Sequence, residues 1–82
     1  MAFQLSGDEQ VFAWLVAESN LERRERLLAW LPQLAADPHG QATAPVRPNV
    51  FVALVPDLDV VVTYLVAEQF RTVRLLRLED LR

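Results

Sequence analysis

The chain predicts an α+β fold: a short N-terminal strand and two helices packed on a C-terminal three-stranded antiparallel meander. Three observations carry that expectation. Apolar residues recur at helical spacing through the first half, β-branched runs replace them from residue 50 onward, and a stretch with two prolines and no periodicity separates the two patterns. The 82 residues, 52% apolar and 23% charged, make one small domain over 1–82 and exclude a disordered or fibrous chain. A helical half is expected over 6–38, a connector over 41–49 and a sheet half over 50–79.

Phe3, Gln4 and Leu5 alternate apolar and polar, the pattern of a very short strand or an extended arm. Ser6 stands three residues before Glu9, the spacing of a capping box, in which hydroxyl and carboxylate satisfy opposite free amides of a helix start. Val11, Phe12, Leu15 and Val16 then share a face, and a second box, Ser19 with Glu22, opens the next helix. The spacing predicts one helix over roughly 7–18 and another from about residue 20. In the second, Leu21, Leu28, Leu31 and Leu34 lie to one side, with Leu27 and Trp30 widening the stripe. Glu22, Arg23, Arg24, Glu25 and Arg26 form a solvated, salt-bridged outer face. Trp14 and Trp30 read as core aromatics or as part of an interaction surface.

Pro32 removes an amide and clashes with the carbonyl of Leu28, so the helix should kink or restart there. Asp37-Pro38-His39-Gly40 reads as a type I turn. Beyond the extended connector, strands are expected at Val50–Val55, 60–66 and 72–78. The short breaks at Pro56-Asp57-Leu58-Asp59 and Glu68-Gln69-Phe70-Arg71 make consecutive strands antiparallel neighbours. The middle strand is apolar on both faces. Helices should therefore cover one face, and something else, such as a dimer mate, the other.

Much chemistry is excluded by composition. Without cysteine there is no disulfide scaffold and no thiolate metal site. His39, the only histidine, lies in a turn, and Asp57 and Asp59 flank a hairpin as turn residues do, so no metal is expected. Ser6 and Ser19 read as caps without a supporting histidine, and two glycines cannot build a phosphate-cradling loop. No cofactor is expected either. No apolar run approaches a membrane span and no signal-like segment opens the chain, so the expected compartment is cytoplasmic.

All eight basic residues are arginine. Residues 1–70 carry nine acids against four arginines, whereas residues 71–82 carry four arginines against two acids. A net charge of −3 argues against a general nucleic-acid binder. The C-terminal set, Arg71, Arg74, Arg77 and Arg82, is a local exception. On a regular strand Arg74 and Arg77 project to opposite faces, each among apolar residues. This suits an edge strand guarded by charge or a contact to phosphate or carboxylate.

The order of pieces resembles the RelE/ParE superfamily of bacterial toxins. The resemblance rests on Leu31-Pro32-Gln33-Leu34-Ala35-Ala36-Asp37-Pro38, on Val60-Val61-Val62-Thr63-Tyr64-Leu65-Val66, and on Arg71-Thr72-Val73-Arg74-Leu75-Leu76-Arg77-Leu78 as a last strand. It implies a type II toxin neutralised by a partly disordered cognate antitoxin. Nuclease members cut mRNA on the ribosome with arginine, lysine and a late tyrosine or histidine around the sheet. Here Val50–Val55 has no arginine, the next strand starts apolar, and Glu79 and Asp80 follow Leu78 where the aromatic base is expected. Only Arg77 falls on a matching arginine position.

Three readings follow. The first is a RelE/ParE-like toxin with an incomplete nuclease site that acts by binding, either to DNA gyrase as in the ParE branch or, as a degenerate relative, to its partner alone. The second is a ribosome-dependent mRNA endoribonuclease with a divergent site on Arg74, Arg77 and Arg47. The third is a non-toxic homodimeric module.

Overall fold

The computed structural model describes residues 2–81. In chain order it forms β1 (Gln4–Gly7), α1 (Glu9–Ala17), α2 (Leu21–Ala36), β2 (Ala44–Arg47), β3 (Val50–Val55), β4 (Val60–Ala67), a single 3-10 turn (Glu68–Phe70) and β5 (Thr72–Asp80). The sheet order is β1-β5-β4-β3-β2. The expected antiparallel meander, β3-β4-β5, is its centre. Two further strands extend it. β1 pairs in parallel with β5, Leu5 opposite Val73, and β2 pairs antiparallel with β3.

The second addition corrects the expected connector over 41–49. Pro45 holds its backbone extended, and extended backbone beside an open strand edge is free to pair. Proline is tolerated because β2 lies at the sheet margin, and the ladder shifts register at Val46, between Pro45 and Arg47. The two-residue link Pro48-Asn49 puts Asn49 at φ 65. Asp57 (φ 66), Asp59 (φ 54) and Arg71 (φ 50) take the same left-handed backbone in the later turns. Asn49→Ala is expected to cost about 1 kcal/mol and Asn49→Gly almost nothing, as read by urea unfolding.

Both helix starts differ from expectation. Ser6 lies in β1 and caps nothing, because the amides of Gln4 and Asp8 bond the carbonyls of Arg71 and Leu75 and hold the segment extended. α1 begins after Asp8 instead, without a side-chain cap. At α2 the cap is Asn20 rather than Ser19; its side chain accepts the Arg23 amide at 3.1 Å. Pro32 does not restart the helix. α2 continues through it, with the proline exposed and Leu31 and Leu34 buried on either side. Each such buried leucine contributes about 2 kcal/mol, which offsets the lost amide bond.

One face of the sheet carries the core. Val60, Val62, Tyr64 and Val66 of β4 are at most 1% exposed and pack with Leu27, Trp30, Leu31 and Leu34 of α2 and Val11 of α1. Trp30 is thus a core aromatic, while Trp14 packs against the cluster half-buried. The turn at Pro38 closes on Gly40, whose amide bonds the Asp37 carboxylate at 3.0 Å; a Cβ at this glycine would collide with that carboxylate. No helix among the described residues is long and apolar enough to cross a membrane.

Candidate functional site

Strand alternation puts Val61, Thr63, Leu65 and Ala67 of β4 on the face away from the helices, where each is half-buried. Register extends that face sideways. One row runs Arg47, Val50, Leu65, Arg74, and the next runs Ala44, Val52, Thr63, Arg77. A third joins Leu54, Val61 and Glu79. None of these residues belongs to the cluster that binds helices to sheet, and Leu54 is 48% exposed. This open face is aliphatic at its centre with arginines at its margins.

Arg74 and Arg77 share the face because of a register shift opposite Thr63 and Tyr64: Tyr64 pairs with Leu75 and Thr63 with Arg77, so Leu76 is the extra residue. A regular strand would have separated the two arginines, as expected from the sequence. β5 is an edge strand only in its second half: β1 covers its far side from Thr72 to Leu75, Arg74 included, and leaves the stretch with Arg77 at the margin. The arginines are not equally available. Arg74 Nε lies 2.7 Å and Nη2 2.5 Å from Asp8 Oδ1. Arg77 Nε is 3.3 Å from Glu79 Oε1 on the same strand. Arg47 is exposed at the β2 margin. The Arg71 guanidinium lies 4.5 Å above the Phe3 ring, and Arg82 falls outside the described residues.

The groups that could move a proton lie elsewhere. Tyr64 points into the core, fully buried, and its hydroxyl donates to the Pro38 carbonyl at 2.6 Å. Burial, with the nearby Asp37 carboxylate, pushes its pKa up to about 12. His39 stays at the helix-side turn, where Nε2 meets Glu68 Oε1 and the ring stands edge-on to Phe51 at 5.3 Å. Neither reaches the open face. Asp57 and Asp59 serve the β3–β4 turn, and the described residues hold no cluster of three potential metal ligands.

The residue that sequence reasoning missed is Arg23. Expected on a solvated helix face, it is only 15% exposed at its side chain. Its Nη1 bonds Glu18 Oε2 at 2.7 Å, its Nε and Nη2 reach the Leu58 carbonyl at 3.3 and 3.0 Å, and Nη2 also pairs with Asp80. The guanidinium lies 5.4 Å above the Trp14 ring. The hydrogen bond to Asp80 leads the effects that raise its pKa further, so its charge is permanent. Arg26, by contrast, makes the expected i, i+4 pair with Glu22 at 3.5 Å. Arg23 therefore ties the α1–α2 junction to the β3–β4 turn and the end of β5, which steadies the strand carrying Arg74 and Arg77. No local signal distinguishes it from Arg26.

No family model matches the chain, and no curated protein does. Solved structures do. The isolated E. coli RelE toxin is similar with a TM-score of 0.82 at 16% identity, over 99% of this chain and 86% of that one. The toxin in the intact E. coli RelBE toxin–antitoxin complex gives 0.81 at 16% identity over 99% of both chains. The archaeal RelE–RelB complex from Pyrococcus horikoshii gives 0.76 at 17% identity, over 98% of this chain and 96% of that one. The fold is that of the RelE toxins.

Proposed function

We propose that this chain is the toxin of a RelE/ParE-like type II toxin–antitoxin system, held inactive by a cognate antitoxin and acting in the cytoplasm by binding its target. The observation that carries the toxin reading is the end-to-end likeness to a RelE chain solved in complex with its antitoxin. The open face supports binding over hydrolysis. RNA cleavage without a metal needs a general base and a group to stabilise the phosphorane. Arginines are present for the second task, but Tyr64 and His39 lie away from the face, and Glu79 is engaged with Arg77. Among the targets that the resemblance offers, DNA gyrase is the one this binding reading takes up.

Induction of the chain alone in a bacterial host should arrest growth while bulk mRNA stays intact, and co-expression of the antitoxin should restore growth. Normal growth with folded, soluble protein would sink the toxin reading. One observation favours the endoribonuclease alternative: Arg47, Arg74 and Arg77 share a face. That alternative expects mRNA cleavage in a translating extract, abolished by Arg77→Ala. On the binding reading, Arg77→Ala leaves mRNA untouched, as the parent does.

A further inference from the structure

The two edges of the sheet are built differently. β2 carries a proline, a register shift and an arginine, the devices that keep an edge from pairing with another chain. β1 reads Gln4, Leu5, Ser6, Gly7, with no charge, no proline and no irregularity in its register. Its bonding pattern leaves a short platform. The amides of Gln4 and Asp8 point to β5, so in a parallel ladder Leu5 and Gly7 turn their amides and carbonyls outward. The Phe3 amide is already taken by the Ala35 carbonyl, which limits the platform to these two residues at its start.

Beside the platform lies an apolar groove lined by Leu5, Gly7, Val11, Phe12, Leu28 and Leu31. Phe12 is 57% and Leu28 47% exposed, and Leu5 stands out at 37%. Gly7 is the flat spot next to that protruding leucine: a Cβ there would sit 3.6 Å from Val11 and 3.7 Å from Phe12. The edge is thus complementary to itself.

We infer that β1 seats the β1 of a second copy of this chain, antiparallel about a two-fold axis at Ser6. Leu5 of each copy faces Gly7 of the other as a hydrogen-bonded pair, which gives four backbone bonds across the axis. Each Leu5 side chain then covers the other copy's Gly7 and enters the groove against Val11, Phe12 and Leu28. The two Ser6 residues meet on the open-face side as the close, non-bonded pair, with Cα atoms about 4.5 Å apart. The two sheets join edge to edge, and the open faces with their arginines stay uncovered. This goes beyond the toxin reading and holds whether or not the chain arrests growth.

The chain has no cysteine, so a single introduced thiol reports the geometry. Ser6→Cys, an exposed position, should cross-link to a dimer rapidly under mild copper–phenanthroline oxidation, because the expected Cα separation suits a disulfide. Leu54→Cys on the open face and Val46→Cys on β2 should stay mostly monomeric. In sedimentation equilibrium of the parent chain, dimer should grow with concentration. Gly7→Ala, whose methyl fits the monomer but occupies the place of Leu5, should raise the dissociation constant about tenfold. An unchanged far-ultraviolet spectrum and melting temperature establish that this variant is folded. A parent that stays monomeric at high micromolar concentration overturns the inference. So does equal or faster cross-linking at Leu54→Cys, which would mean pairing through the open face, or at Val46→Cys, which would mean pairing through β2.

Discussion

Arg23→Ala is expected to lower folding stability by about 3 kcal/mol, among the largest losses available to a charged residue of this chain. The loss has identifiable parts. Glu18, only 13% exposed at its side chain, loses its 2.7 Å guanidinium partner. The Leu58 carbonyl loses both of its guanidinium donors, although Leu58 itself must stay buried to close the core beneath the β3–β4 turn. Trp14 loses the cation above its ring. For a chain of 82 residues the melting temperature should fall by about 15 °C, as read by circular dichroism. Arg23→Lys should recover under half of the loss, because one ammonium cannot reach Glu18, Asp80 and the Leu58 carbonyl at once. Asp80→Asn should cost far less, about 1 kcal/mol, since Asp80 is 41% exposed and water can replace its partner. A loss below 1 kcal/mol in Arg23→Ala would show that the guanidinium is a passive surface group.

Tyr64→Phe is expected to cost about 2 kcal/mol near neutral pH and to change the alkaline limb of the stability curve. The Pro38 carbonyl accepts from the hydroxyl at 2.6 Å inside the core, and Pro38 is itself buried, so phenylalanine leaves that acceptor unmet. Burial raises the phenol pKa from 10.0 in the unfolded chain to about 12 in the folded one. Between those values the folded state binds the proton more tightly than the unfolded state. Stability from this group is therefore complete below pH 10 and is lost as pH rises through about 12, by about 2–3 kcal/mol in total. In Tyr64→Phe that contribution to the slope disappears. Parallel urea titrations of both proteins between pH 9 and about 12 measure it, and identical slopes would refute the assignment.

The arginine face was partly legible beforehand. Arg74 and Arg77 stood out as arginines in an apolar strand and Arg47 lay in the connector, but alternation alone sent Arg74 and Arg77 to opposite sides. A single extra residue, Leu76, reverses that outcome, and the register of β5 against β4 decides where it goes. Ser6 failed as a cap for a similar reason. A capping box is a local preference worth about 1 kcal/mol, and it yields when neighbouring amides enter a sheet ladder. Pro32 shows the same ordering of energies, local cost against tertiary burial.

What the sequence determined by itself was periodicity: two helices, the strand Val50–Val55 to the residue, the two strands after it, and an antiparallel meander joined by short turns. Those follow from the spacing of apolar residues and from links too short for any other connection. Tertiary structure alone decided that Gln4–Gly7 lies parallel to β5, that the connector supplies β2, and that Arg23 turns inward. Each depends on a partner far along the chain, Val73 for Leu5 and Asp80 for Arg23. Pairings across such distances gain their energy only after the chain has closed its loops, so nothing in the local order of residues records them.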